Sequence, residues 1–138
     1  MRQRRVLLID DDPDVSMAVR AVLADEGYAV SLLADLSLAT IRAAVDSLEP
    51  DCVLLDGERT SGFGRSWTAA ARIHERERPI PVVMFTVDPI ATAEARQGVS
   101  NRSRRAAFAA VLSKPFELDA LLAVVAAACG TLPDAFRR

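Results

Sequence analysis

Apolar residues fall along this chain in two alternating textures. Short continuous runs, VLLI at 6 to 9, CVLL at 52 to 55, VVMFTV at 82 to 87 and AVLS at 110 to 113, with a fainter YAVSLL at 28 to 33, read as strands covered on both faces. Between them the apolar positions return every three or four residues, at Val15, Val19, Val22 and Leu23, and again at Leu38, Ile41, Val45 and Leu48. That spacing gives a helix one buried stripe. The boundary chemistry agrees: Asp12 is expected to cap the first helix, with Pro13 at its first position and Gly27 where it should stop. Strand then helix, five times over, predicts an α/β domain with a parallel sheet between two helical layers. The stretch IATAEARQGVSNRSRRAA, from Ile90 to Ala107, is less regular, because Gly98, Ser100, Asn101 and Ser103 interrupt it. It reads as a short helix, a loop and a further turn of helix, with Arg102, Arg104 and Arg105 in a solvated loop rather than docked on an acidic partner.

With 138 residues, just over half of them apolar, the chain can bury the core of one domain without disulfides. Residues 1–130 are expected to form that domain and 131–138 a frayed tail, with no output domain after the last helix. Seventeen basic and nineteen acidic residues nearly balance, so nothing favours nucleic acid or membrane as a partner. The start, MRQRRVLLIDDD, has only four apolar residues before three acids, and the apolar run Leu121 to Cys129 is too short to span a bilayer. A cytoplasmic location is expected. Cys52 and Cys129 lie in apolar runs without metal or CxxC spacing and read as buried, reduced thiols.

Candidate chemistry gathers at the strand ends, since ligands of open parallel sheets bind beyond the carboxyl ends of the strands. The first strand ends in Asp10, Asp11 and Asp12, the third in Asp56, the fourth at Thr86 and the fifth at Ser113 and Lys114. Carboxylates crowded together resist joint ionisation unless a cation joins them, and magnesium takes oxygen ligands of this kind. Acids, a hydroxyl and an ammonium around such an ion suit phosphoryl chemistry. Lys114 is the one lysine among sixteen arginines. Its compact ammonium fits a small pocket that the planar fork of arginine would crowd. Asp12 and Asp14 read as helix-terminal residues rather than metal ligands. His74 reads as a surface residue, and Trp67 and Phe116 as packing residues.

The motifs VLLIDDDP, LLDGE, VVMFT and LSKPF resemble, in order and spacing, the receiver domain of bacterial two-component response regulators, from Val6 to about Cys129. The resemblance implies a flavodoxin-like five-stranded parallel sheet of order 2-1-3-4-5 with helices on both faces. It makes Asp56 the phosphoacceptor and Asp11 a metal ligand, with Asp10 supporting the metal directly or through water. It pairs Lys114 with the phosphoryl group, gives Thr86 a hydrogen bond to a phosphoryl oxygen, and makes the backbone carbonyl of Glu58 a further ligand to Mg2+. It also implies a cis Lys114–Pro115 bond and a phosphodonor partner, either a histidine kinase or a histidine phosphotransfer protein. The downstream protein partner and homodimerisation stay open. Such a chain is not an enzyme beyond its own phosphorylation and slow autodephosphorylation.

The sequence departs from that family in several places. Val111 stands where Tyr or Phe is usual, and valine is too small and too stiff at χ1 to serve as a rotor, so a muted switch is expected. Phe108 replaces a small alanine, Thr60 replaces a proline, and Val87 stands where a small residue is usual. The segment from Thr86 to Lys114 is several residues longer than typical. Glu58 and Asp88 occupy positions that tune acyl-phosphate lifetime. Two rivals follow: an interaction module that signals without phosphorylation, and a haloacid dehalogenase-like phosphatase. The second needs a DxDx[TV] motif, where this chain has DDDPD, and further acids after the lysine, where it has the apolar LLAVVAAAC.

Overall fold

The continuous apolar runs become strands and the periodic ones become helices. In this computed structural model the described residues are 3–35, 37–57 and 65–130. They form β1 (Arg5–Ile9), α1 (Pro13–Asp25), β2 (Ala29–Leu33), α2 (Leu38–Leu48), β3 (Cys52–Asp56), α3 (Arg65–His74), β4 (Val82–Thr86), α4 (Pro89–Gln97), α5 (Asn101–Ala106), β5 (Ala110–Ser113) and α6 (Leu118–Ala128). Glu58, Thr60 and the expected tail 131–138 lie outside the described residues.

All five strands pair in parallel, in the order β2-β1-β3-β4-β5. Period-two alternation divides the strand residues between two cores. Val6, Leu8, Leu54, Val83, Phe85 and Leu112 meet Val19 and Leu23 of α1 and Leu121 and Val125 of α6. On the opposite face Leu7, Ile9, Val53, Leu55, Val82 and Met84 meet helices α2 to α5. Both cysteines are buried and free, in the first of these cores. Among the described residues no helix is long and apolar enough to cross a membrane.

The caps predicted for α1 are present. The Asp12 carboxylate accepts from the backbone N–H groups of Asp14 (3.0 Å) and Val15 (3.4 Å), Pro13 opens the helix, and Gly27 follows its end with φ of 91°. Asp14 sits in the first turn, where a negative charge meets the positive end of the helix dipole.

Between β4 and β5 the chain forms a short helix, a brief loop and a second short helix, as the interrupted pattern of this segment predicts, so the five-fold strand–helix repeat gains one extra helix. Gly98 ends α4 in a left-handed conformation (φ 67°), and the Ser100 hydroxyl then caps α5 by accepting from the Ser103 N–H at 3.2 Å. The interrupting residues are therefore a helix stop followed directly by a helix start. The arginines expected in a solvated loop are instead on α5. Arg102 makes a fork to Glu94 of α4, at 2.6 Å from Nε and 2.7 Å from Nη2, and its guanidinium lies 4.1 Å from the centroid of the Trp67 ring. Trp67 in turn meets Phe108 edge to face, with ring centroids 5.2 Å apart. Arg105 reaches Glu75 at 3.5 Å. Opposite charge and a facing π-surface recruit Arg102, which a sequence reading confined to local polarity places in water, whereas Arg104 and Arg105 are exposed to solvent as expected.

The Arg102 fork holds the Glu94 carboxyl at about 2, below its ordinary 4.5. Because the folded state depresses this group, its contribution to stability is full above the ordinary value and is lost as pH falls through about 2. Both side chains are partly solvated, so screening limits the pair to about 1 kcal/mol. We expect Arg102→Ala to lower the melting temperature near neutral pH by about 3 °C. The gap to the parent protein should narrow as pH falls from 5 to 2.5, as read by thermal unfolding followed by circular dichroism.

Candidate functional site

Parallel pairing brings every strand's carboxyl end to one edge, and the predicted acids and lysine meet there. Asp10 leaves the end of β1 with only 3% of its surface exposed, and Asp56 closes β3 almost as deeply buried. One oxygen of Asp10 accepts the Asp12 N–H at 2.9 Å, which ties it to the start of α1. Lys114 follows β5. Its N–H donates to the Thr86 carbonyl at 2.8 Å, and its peptide bond to Pro115 is cis as expected. The ammonium then lies 3.5 Å from Asp10 and 3.2 Å from Asp56.

Asp11 completes the acidic group. A carboxylate oxygen from each of Asp10, Asp11 and Asp56 lies within 4.8 Å of the others. Asp11 is exposed, so the group is open to solvent on one side. Burial pushes the Asp10 carboxyl above its ordinary range, and the neighbouring Asp56 charge adds to the rise, while the Asp12 N–H and Lys114 oppose it. Three oxygen donors on an open edge, one of them strained by burial and like charge, fit a hard divalent cation.

The cavity at this edge has a volume of about 900 Å3 and is lined by Asp10, Asp11, Asp56, Arg65, Val87 and Lys114 among others. Thr86 is not among its lining residues. Its side chain is buried, and its hydroxyl accepts the Asp88 N–H at 3.1 Å. Of the predicted residues, Asp10, Asp11, Asp56 and Lys114 therefore converge directly, and Thr86 stands behind them. Val111 is half-buried against the core beneath α2 to α5, with Met84 beside it in register. Asp12 is a helix cap, His74 is exposed in the last turn of α3, and Trp67 and Phe116 pack against the cores as expected.

Two neighbours of the site escaped the sequence reading. Phe85 places its ring 4.4 Å from the Lys114 ammonium, a cation–π contact that holds the lysine from below. Its signal was available, since Phe85 pairs with Asp56 across the sheet and so faces the same way. Gly57, directly after Asp56, approaches Thr86 closely.

Comparison with known proteins agrees with this arrangement. The chain is 34% identical over 133 residues to the nitrogen assimilation regulatory protein NtrX of Azorhizobium caulinodans, an alignment covering 92% of this chain and 26% of that protein. It is 36% identical over 86 residues to the DNA-binding response regulator MtrA of Mycolicibacterium smegmatis, covering 62% of this chain and 35% of that one. The chain thus spans about a third or less of the length of these two relatives. Among solved structures, a response regulator receiver protein from Burkholderia phymatum superposes with a TM-score of 0.71 at 25% identity, covering 93% of this chain and 96% of that one. Residues 6–126 match the family model for the response regulator receiver domain. With its strand order, its coterminal acids and lysine and this match over most of its length, the chain belongs to the response regulator receiver domain family.

Proposed function

We propose that this chain takes a phosphoryl group onto Asp56 from the phosphohistidine of a kinase or phosphotransfer protein and signals through the change that follows. The observation that carries this reading is the Lys114 ammonium set between Asp10 and Asp56, at 3.5 and 3.2 Å, at the open edge of a parallel sheet. A carboxylate oxygen of Asp56 forms the new bond to phosphorus as the bond from phosphorus to the histidine nitrogen breaks, leaving an acyl phosphate. Lys114 neutralises charge on the transferring oxygens, and Thr86 gives a hydrogen bond to one of them as the group arrives, in the transition state as well as in the product. Attack by water on phosphorus later returns the carboxylate and releases phosphate. Asp10, Asp11, Asp56 and the carbonyl of Glu58 would hold a magnesium ion, which when bound supplies further neutralisation of phosphoryl charge. The chain is accordingly a regulator and not a turnover enzyme, and we assign it to the cytoplasm, where its phosphodonor would be.

Val111 supports a second reading, in which partners are bound without phosphorylation, because β5 offers no aromatic ring to couple Thr86 to the outer surface. On the first reading, intact mass after incubation with a small phosphodonor rises by one phosphoryl group only when magnesium is present, and Asp56→Asn abolishes the rise. No gain, with a stable beryllofluoride mimic also failing to bind, would transfer support to the second reading. Partner binding unchanged by Asp56→Ala and by removal of magnesium would do the same.

Lys114 provides an independent test. Removing one preorganised stabiliser of transition-state charge costs about 100-fold in rate, so Lys114→Ala should slow phosphorylation by about that factor. Lys114→Arg should not restore it, because the pocket holds a compact ammonium between two carboxylates and the guanidinium fork needs more room. An arginine variant labelled as fast as the parent protein would remove the shape argument for the lysine.

A further inference from the structure

Gly57 has an ordinary backbone conformation, outside the left-handed region that favours glycine, so its identity needs another cause. Space supplies one. A Cβ built on Gly57 would fall 2.7 Å from the Thr86 Cβ and 3.1 Å from its Oγ1, with the Met84 Sδ also at 3.1 Å. The first of these atoms belongs to a β-branched side chain fixed to a strand end and cannot swing aside. Two further contacts hold the approach: the Gly57 N–H donates to the Phe85 carbonyl at 2.8 Å, and Thr86 Oγ1 accepts from the Asp88 N–H.

We propose that Gly57 is the positioning residue for Thr86: its missing side chain lets the ends of β3 and β4 close together, which sets the threonine hydroxyl beside the residue that follows the phosphoacceptor. The inference rests on the reading of Asp56 as phosphoacceptor and Thr86 as its hydroxyl partner, and names the feature that brings them within reach. Period-two alternation sends the Asp56 side chain to the face shared with Phe85 and Leu112, and Thr86 to the face shared with Met84. Near the pocket the two residues therefore communicate across the strand end itself, and Gly57 occupies that point. Any Cβ there must part β3 from β4, and displacement by about an ångström is enough to break a hydrogen bond in a reacting geometry.

The test is a double-mutant cycle in the full chain, using phosphoramidate as donor with magnesium and intact mass as readout. The parent protein, Gly57→Ala, Thr86→Ala and the double variant are compared, with circular dichroism and thermal unfolding run on each. One hydrogen bond to a charged oxygen corresponds to roughly a 10-fold effect on rate. We expect Gly57→Ala and Thr86→Ala each to slow phosphorylation by about that factor, and the double variant to be no slower than either. Gly57→Ala slowing the Thr86→Ala protein as much as it slows the parent would overturn the proposal, because the glycine would then act through Asp56 or through general packing. Gly57→Ala as fast as the parent, while Thr86→Ala is slow, would overturn it too. If the parent protein takes no phosphoryl group on Asp56, or Thr86→Ala is without effect, the underlying reading fails first, and that result is distinct from both. Should Gly57→Ala not fold, Gly57→Ala with Thr86→Gly removes the clashing Cβ. Recovery of the fold by that pair upholds the contact, and its absence overturns it.

Discussion

One ammonium group balances the carboxylates on which the site depends. At an effective dielectric near 20, each pair of carboxylates within 4.8 Å repels by about 3 to 4 kcal/mol, and each contact of Lys114 with an acid attracts by about 5 kcal/mol. The three repulsions and two attractions are thus of similar total size, and the pocket has no surplus of positive charge. A phosphoryl group that adds roughly 1.5 to 2 negative charges would meet Lys114 and the Arg65 guanidinium that also lines the cavity, and a divalent cation beside them would bring the charge closer to balance. The open side at Asp11 is where such an ion has access. Strand order, coterminal strand ends and the closed packing of both faces all serve to keep Asp10, Asp56 and Lys114 at this spacing.

Much of this was legible from residue order alone. Strands buried on both faces show as unbroken apolar runs, and a parallel sheet puts whatever ends those runs at a common edge, so DDD, D and K could be brought together without coordinates. Asp12 and Pro13 announced the start of α1 because capping is a local interaction. The arrangement around Arg102 was not legible. Its partners, Glu94, Trp67 and the neighbouring Phe108, lie on three separate segments, and nothing in RSRR distinguishes an arginine stacked on a ring from one in water. Gly57 was hidden for a similar reason, since glycine in LLDGE suggests a turn, and only the distance to Thr86 shows that it is needed for room.

The aromatic mass missing from β5 is present elsewhere on the same face. Trp67 on α3 and Phe108 before β5 pack edge to face over the core that includes Val111, and Arg102 covers the tryptophan. The longer β4–β5 connection supplies that arginine through α5. Ring area that could turn on a single strand residue is replaced by a cluster pinned by a two-pronged ion pair, which gains in order what it loses in freedom to rotate. Among the described residues this face is cross-linked by the Glu94–Arg102 fork and by the stacked Arg102, Trp67 and Phe108 side chains.

This sets where a response can arise. Asp56 and Lys114 face α1 and α6, whereas Thr86 faces the clustered side, and the sheet between them is rigidly filled. A displacement at Asp56 cannot pass through that core without disturbing Leu55 and Met84, both wholly buried. The strand end is the softer route: Gly57 yields to Thr86, Thr86 is tied to Asp88, and Asp88 caps α4 through Ile90 while its carbonyl accepts from the Thr92 hydroxyl. Movement of Thr86 consequently pulls on the first turn of α4, next to the exposed Ile90, before it reaches the Glu94–Arg102 pair one turn further on. A shift of Thr86 would therefore reach the first turn of α4 before the pinned cluster, because the Glu94–Arg102 fork and the stacked rings are the stiffer part of this face.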